Sequence, residues 1–505
     1  MDKKKVVIIG GGISGLTAGI YLLDNNYDVT ILEKHNVVGG CCTGWKRDGI
    51  FIDGCAHFVI GTSPKSELYP LWYHIGAFNE NSKIYNCDYY TKYYIGDEVV
   101  TLYTDLKKLY NELMRVGAED KGRIKNMIRT IKRYMLVKIP VTKPTDMMDL
   151  FRLSAFGIPM LPLVPRLVHY KHESALEYAN KFKSPILREL FNRIIDNNMN
   201  IHSIFYMFQA FAQNDGGIIE GGSLNLSLNI GKRFKEKGGV ILTSTPAKRV
   251  IIENDIAKGV ELENGNIINA DYVISSADAY HTLNNLLEGK YKYKFFEDKF
   301  NDLKTNPLNM GMYVTYLYKN KNIEIPKMAN IKTEGLKLFD FNIGDVSIRN
   351  YSFDPTITPE NGEVLTVLVR VFDQTYDDFK KLSKDDYTKV KMKFAEDIKG
   401  YMINQFGFNS DDLEIIDVAT PLTYERYTNA YKGSYESFIT TKKTKGLMTT
   451  GYIKGLKNFI MTGQWLMPPG GLPIALYTGK HAAIRICKFD KKKFINKEEK
   501  KKEKR

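Results

Sequence analysis

Hydrophobic and polar positions change period within the first 33 residues. Four consecutive apolar residues, Val6-Val7-Ile8-Ile9, predict a strand buried on both faces, and Leu16 to Asn25 carries the 3.6-residue spacing of a helix. Val29 to Glu33 predicts a second strand. From about residue 76 to 214 helical periodicity dominates, as in Asp105 to Val116 and Asp120 to Lys138, which predicts a largely helical insertion. Beyond it, Ser223 is placed to N-cap a helix running to about Lys237, closed by Gly238-Gly239. Strands are predicted at Val240 to Thr243, Arg249 to Glu253, Lys258 to Leu262 and Tyr272 to Ser276. Residues 291–444 mix strands and helices, with Gly311 to Tyr318 and Val364 to Val371 the clearest strands, and predict the sheet of a second domain. Near the end, Asn458 to Thr462 predicts a short buried strand, a glycine-rich turn follows, and a helix runs from Ala475 to Cys487.

The first junction carries chemistry. Gly10-Gly11-Gly12-Ile13-Ser14-Gly15 links strand to helix. Gly10 permits the tight turn, Gly12 lets backbone approach a pyrophosphate, and Gly15 lets the helix pack close to the strand. Phosphates there meet free N–H groups and the positive end of the helix dipole. Glu33, 18 residues beyond Gly15, ends the second strand, where a carboxylate can accept hydrogen bonds from both ribose hydroxyls. An unphosphorylated ribose, as in FAD or NAD, is thereby favoured over NADP. Beyond Glu33, Gly39-Gly40 offers a second close backbone approach, which suits a ligand long enough to run past the first unit. The last strand, turn and helix start, at residues 458–475, supplies another positive helix terminus.

Composition narrows the setting. With 505 residues, 43% hydrophobic and 26% charged, the chain suits a soluble protein of two or three domains. Lys3-Lys4-Lys5 before an apolar run has the look of a secretory signal, but the glycines break the run and no small-residue cleavage site follows. Five cysteines without a CxxC pair fit a reduced, cytoplasmic setting, and no metal is expected from the histidine spacing. Residues 488–505 hold ten Lys/Arg against four Asp/Glu, a net +6, which predicts a basic, disordered tail. No base-reading motif accompanies it, so nucleic acid is not an expected partner.

One apolar stretch stands apart. Met147 to Val168 is rich in Met, Leu and Phe, but Arg152, Pro159, Pro162 and Pro165 interrupt it too often for a bilayer span. Basic residues flank it: Lys132, Arg133, Lys138 and Lys143 before, Arg166 and Lys171 near its end and beyond. That pattern suits peripheral contact with an anionic membrane, on the inner face of the cell; it equally suits a buried cap helix or tunnel wall.

Three blocks, Val6 to Phe58, Gly216 to Asp278 and Asn458 to Ala483, cover about a third of the chain and resemble phytoene desaturases, carotenoid isomerases and retinol saturases, within the FAD-dependent amine oxidase superfamily. The resemblance implies an α/β fold: a Rossmann-type, GR2-like FAD-binding domain assembled from residues 1–75, 215–290 and 445–487, interleaved with a mixed α+β substrate domain at 291–444 and a helical cap at 76–214. It implies that Gly10, Gly12, Ile13, Ser14 and Gly15 hold the pyrophosphate, and Glu33 with its neighbour Lys34 the ribose. Gly40, Cys41 and Cys42 would follow the phosphate and ribityl portion, and Ala56, His57 and Phe58 would lie near the flavin ring. Ala247 stands where the family usually has a valine whose backbone meets adenine, and Ala277 and Asp278 sit at the end of a strand, where a ligand is expected. Gly463, Gln464, Gly471, Leu472 and Pro473 would close over the ribityl chain and ring. Cys41-Cys42 stands where desaturases usually place an arginine, which points to the isomerase and saturase branch. Two further departures are Asn26 for the usual glycine and Glu220 for a frequent proline.

With FAD bound, the flavin carries the redox chemistry and few side chains are essential. His57 is the candidate for tuning the ring or shuttling a proton, with a packed histidine as its plain alternative. Phe205 to Phe211 could line a channel for a long apolar substrate or belong to the core. The leading expectation is desaturation, saturation or isomerisation of carbon–carbon bonds in an apolar lipid or isoprenoid. Amine oxidation is the alternative, weakened by Gln464, where amine-oxidising relatives tend to carry an acid. A non-enzymatic prenyl-protein escort is a third, weakened by the intact glycines. No second nucleotide-binding unit is evident, so the electron partner stays open and direct use of NAD(P)H is not expected.

Overall fold

The computed structural model describes residues 3–55 and 58–498. At its centre lies a parallel five-stranded sheet, in the order Val240–Leu242, Asp28–Leu32, Lys5–Ile9, Tyr272–Ser275, Phe459–Met461. Strands as far apart in sequence as Lys5–Ile9 and Tyr272–Ser275 thus become neighbours, which accounts for the three separate blocks of similar grammar. The strands read as unbroken apolar runs because both faces are covered. Val6, Ile8, Val29, Ile31 and Ile274 face one hydrophobic core with helices Ile13–Asp24, Gly222–Glu236 and Leu472–Phe489. Val7, Ile9, Leu32 and Val273 face another with Val250, Ala257 and Val260 of an antiparallel sheet, Ala247–Glu253, Ile256–Leu262 and Ile267–Asn269. Helix Ile13–Asp24 crosses Leu472–Phe489 so closely that a Cβ on Gly479 would lie 2.5 Å from the Ser14 carbonyl oxygen.

A seven-stranded sheet forms the second domain, in the order Leu413–Ala419, Met310–Tyr318, Glu363–Val371, Asp345–Asn350, Met328–Lys332, Tyr89–Ile95, Glu98–Tyr103. Its last two strands come from the stretch expected to be mostly helical. Tyr89-Tyr90-Thr91-Lys92-Tyr93-Tyr94-Ile95 is an aromatic and β-branched run, and Gly96 at φ +58° opens a two-residue turn pairing Ile95 with Glu98. The helices of the insertion begin after it. Leu106–Val116, N-capped by Asp105, packs with Lys121–Tyr134, Pro185–Ile194 and His202–Ala212 around a core that includes Leu113, Met127, Leu190 and Phe205.

Two local expectations change. The helix at Gly222–Glu236 is capped by Gly221 at φ +79°, not by Ser223, because Gly-Gly turns the chain in a left-handed step before the first helical residue. Residues 490–498, expected as a disordered tail, lie against the parallel-sheet domain. The Asp490 carboxylate accepts from Lys4 Nζ at 2.5 Å and from the hydroxyls of Tyr27 and Tyr272. Glu498 accepts from the buried Lys480 at 2.5 Å. Basic composition hid these acids, which answer buried phenols and an ammonium.

Candidate functional site

A cleft of about 570 Å³ opens along the ends of the parallel strands. Its floor is the Gly10 to Gly15 turn. Gly10 has φ +98°, and a Cβ on Gly15 would lie 2.1 Å from the Gly10 carbonyl oxygen, so Gly15 holds the turn closed from behind and does not line the cleft. Gly12 behaves differently. A Cβ there would meet only the Gly39 carbonyl oxygen, at 3.8 Å, and would project into free space at the start of a twelve-residue helix. Backbone approach and an exposed helix terminus are together what a pyrophosphate requires. Ser14 and Gly463 complete this end: the Ser14 hydroxyl shares a hydrogen bond with Ser276 at 2.6 Å, and Gly463 at φ +118° lies over it.

The Gly39-Gly40 loop is fastened to this floor by the Gly39 N–H, which donates to the Gly11 carbonyl at 2.9 Å. Glu33 is buried at the other end of the cleft. Its carboxylate accepts from the Gly11 and His35 N–H groups, each at 2.8 Å, while burial raises its pKa. Those two amides fix the carboxylate in place, and Glu33 lines the cleft. Lys34 lines the cleft but is turned to the chain itself, donating to the Arg426 carbonyl at 2.8 Å and to the Asn429 side chain. Ile13, Gly40, Cys41, Cys42, Ala247, Ala277, Gln464 and Leu472 all line the same cleft. Ala56 and His57 lie outside the described residues. The family-atypical Asn26 takes φ +63°, a left-handed conformation that asparagine tolerates better than most residues.

Sequence reasoning missed one wall. Thr423, Tyr424, Thr428 and Ser434 close the cleft opposite the glycines, and Asp278 and His281 sit at its base. Asp278 accepts from the His281 and Tyr431 N–H groups, and burial pushes its carboxyl up to about 6. Asp278, unlike the rest of this wall, was marked in the sequence with Ala277 by its place at the end of a strand.

A second cavity, of about 2060 Å³, joins the first at Cys41, Cys42, Gln464, Gly471 and Leu472. Phe58 and Pro473 line this cavity and not the cleft. Its walls are largely apolar and come from distant segments: Val137, Leu167, Val168, Ile195, Tyr206, Met207 and Tyr477. Helix His202–Ala212 divides its aromatic run by face. Tyr206 and Met207 line the cavity, while Phe205 and Phe208 are buried in the core. Neither thiol at the junction is poised to react. Cys42 donates to the Ser223 carbonyl, and burial pushes the Cys41 thiol up to about 12. His202 is driven down to about 4 by burial, so it is neutral at physiological pH.

The residues of the cleft fit a flavin dinucleotide: a glycine whose missing Cβ leaves room for phosphate, a fixed carboxylate at the strand end, and a passage from cleft to substrate-sized cavity. Comparison with known proteins agrees. Residues 13–487 match the model of the flavin containing amine oxidoreductase family. The chain is 22% identical over 511 residues to a 4,4'-diaponeurosporene oxygenase of Staphylococcus aureus, covering 96% of this chain and 98% of that protein. Among solved structures, an oxidoreductase from Methanosarcina mazei superposes with a TM-score of 0.60 at 15% identity, covering 94% of this chain and 99% of that one. Cyclohexylamine oxidase from Brevibacterium oxydans gives 0.59 at 14% identity, covering 97% and 100%. Both structural likenesses concern the fold.

Proposed function

The chain belongs to the flavin containing amine oxidoreductase family and is an FAD-dependent oxidoreductase, and from that premise we propose that it acts on carbon–carbon bonds of a long apolar polyene or isoprenoid. The observation that carries this reading is the cavity of about 2060 Å³ opening on the cofactor cleft, roughly twice the upper end of the usual range for small-molecule sites. The carotenoid-type name of the Staphylococcus aureus relatives supports the same substrate class. FAD, when bound, supplies the two-electron chemistry. The protein supplies a backbone cradle for the phosphates at Gly12 and Ser14, a carboxylate for the ribose at Glu33, and a water-poor chamber walled by Phe58, Tyr206, Met207 and Tyr477.

The apolar stretch flagged in the sequence supports a second part of the proposal, peripheral contact with an anionic membrane. Leu150–Gly157, Ile158–Leu163 and Val164–Tyr170 form one irregular helical segment. It is not a buried cap helix: Leu150 is 81%, Phe151 83% and Val168 67% exposed. The segment is long and apolar enough to cross a membrane by length and composition. Its broken geometry and the surrounding Lys138, Lys143, Arg152, Arg166 and Lys171 favour lying in the headgroup region on the cytoplasmic side. Leu167, Val168 and Lys171 also line the large cavity, so an apolar substrate would enter it from the bilayer without crossing water.

Purified protein should be yellow and release FAD on denaturation, and 4,4'-diaponeurosporene presented in vesicles should bleach it anaerobically where cyclohexylamine does not. Bleaching by the amine alone would replace this reading with amine oxidation. A colourless protein that refuses added FAD would overturn the enzyme itself and favour an escort.

A further inference from the structure

The large cavity holds a carboxylate that neither the glycine motifs nor the family resemblance signals. Glu436 lines it. One oxygen, Oε2, accepts from the Asn309 side-chain amide at 2.5 Å. The Tyr435 hydroxyl donates to the carbonyl oxygen of the same amide at 3.1 Å, which fixes the amide with its N–H toward Glu436. The other oxygen, Oε1, lies 3.3 Å from where a Cβ on Gly471 would stand. Gly471 lines both cavities and caps the helix Leu472–Phe489. Gln464 locks the two loops together: its Nε2 donates to the Tyr435 carbonyl and its Oε1 accepts from the Gly471 N–H, each at 3.1 Å. Glu436 is therefore held rigidly, one oxygen satisfied, where a substrate in the cavity comes nearest the cofactor cleft.

We propose that Glu436 is the proton-handling residue of the site, with Oε1 exchanging a proton with the substrate carbon adjacent to the one that exchanges a hydride with the flavin. This role rests on the carbon–carbon reading above. In the direction of desaturation two C–H bonds break and one C=C forms. One hydrogen leaves with its electron pair to oxidised FAD, the other leaves as a proton to Oε1, and the resulting acid releases its proton to water when product departs. Saturation runs the same exchange backwards, with the acid delivering the proton.

The surroundings suit a group that must work in both forms. Among the described residues no Lys, Arg or His forms an ion pair with Glu436, and its titratable neighbours Tyr435 and Cys41 are themselves raised by burial and stay neutral. Burial pushes the Glu436 carboxyl up to about 7, the Asn309 hydrogen bond offsetting part of the rise. A carboxyl near the working pH is the form in which general acid–base catalysis is most effective.

The test uses FAD-loaded wild type, Glu436→Gln and Glu436→Asp, with melting temperature and flavin absorbance confirming that each is folded and loaded. In the difference between wild type and Glu436→Gln, infrared titration should show a carboxylic-acid C=O band lost between about pH 6 and 8 that belongs to wild type alone, the Asp278 band being common to both. Anaerobic bleaching by 4,4'-diaponeurosporene should slow about 100-fold or more in Glu436→Gln, with affinity for the polyene unchanged, and Glu436→Asp should recover part of the rate and keep the pH dependence. Equal rates and pH profiles in wild type and Glu436→Gln overturn the proposal. So does tight, Glu436-dependent binding of farnesylamine without farnesol binding, which would make the residue a cation anchor. A wild type whose oxidised flavin no polyene bleaches and whose reduced flavin no polyene reoxidises removes the functional reading itself, whatever the variants do.

Discussion

The cofactor cleft and the large cavity meet at Cys41, Cys42 and Gly471, yet they are made by opposite means. The cleft is mostly backbone. Its essential positions are places where a side chain is missing, and they lie in three short motifs at strand ends. The cavity is mostly side chain, contributed by segments as far apart as Phe58, Val137, Ile195 and Tyr477, with no motif among them. A backbone site tolerates no added atoms but is indifferent to much of its wall; a side-chain site keeps its fold through most substitutions and changes what it admits.

The largest effect tests the first half of that contrast. A Cβ on Gly15 would sit 2.1 Å from the Gly10 carbonyl oxygen and 3.1 Å from the Ser276 hydroxyl, with backbone on one side and no room to move. Gly15→Val is expected to yield no FAD-loaded protein, with a destabilisation of about 3 kcal/mol or more. Gly12→Val sharpens the point. A Cβ there would have its nearest neighbour 3.8 Å away, so the protein should fold and melt close to the wild-type apoprotein while failing to hold flavin. Flavin absorbance per mole and thermal melting read both. A folded, yellow Gly12→Val protein would show that phosphate does not lie where the turn leaves room.

The same contrast explains what the sequence disclosed. The parallel sheet, its flanking helices and most of the cleft were legible because each rests on local chemistry: an apolar run, a glycine turn, an acid at a strand end. Lys34 was read as a cofactor contact and does line the cleft, but position in sequence does not show that its ammonium is taken up by Arg426 and Asn429. The Thr423 to Ser434 wall and Glu436 were invisible for a related reason: a loop becomes part of a site only through tertiary packing. The strands at Tyr89–Ile95 and Glu98–Tyr103 were overlooked although their tyrosines and Gly96-Asp97 turn carried a local signal, because the helices that follow dominated the reading of the whole insertion.

The exposed helical segment extends the comparison to the mouth of the cavity. Leu150 and Phe151 are more than four-fifths exposed. Full burial of such a side chain is worth about 2 kcal/mol, and partial insertion of both should give roughly half the sum. Leu150→Asp with Phe151→Asp is expected to weaken binding to anionic vesicles about 30-fold, leaving FAD content and melting temperature unchanged. Equal vesicle binding by the double variant would break the membrane proposal. A smaller effect belongs to the one side chain on which the cleft depends. Glu33 accepts two backbone N–H bonds, and glutamine offers only one acceptor oxygen. Losing one of these internal bonds costs folding stability, while losing the charged acceptor offered to the ribose hydroxyls costs about 1.5 to 2 kcal/mol of binding, so Glu33→Gln should weaken FAD binding about 10- to 30-fold, measured by titrating the apoprotein.

The smallest effect is the most pointed test of the cavity. Ile195 is half-buried and lines the cavity but not the cleft. Ile195→Trp adds a ring where the wall has free space on one side, so the fold need not absorb it; the ligand must. Overpacking of this kind costs about 1 kcal/mol when the neighbour can give way, which corresponds to a loss of about fivefold in affinity for the longest ligands. Shorter isoprenoid alcohols should bind as before, and FAD content should not move. The result to measure is therefore a ratio, the affinity for a thirty-carbon polyene over that for farnesol, in wild type and variant. A fall in that ratio at constant flavin content would separate the two cavities functionally as cleanly as their construction separates them. A parallel loss of flavin would show instead that the side-chain wall and the backbone cradle are mechanically one, and that the cleft depends on the cavity's packing as well as on its own glycines.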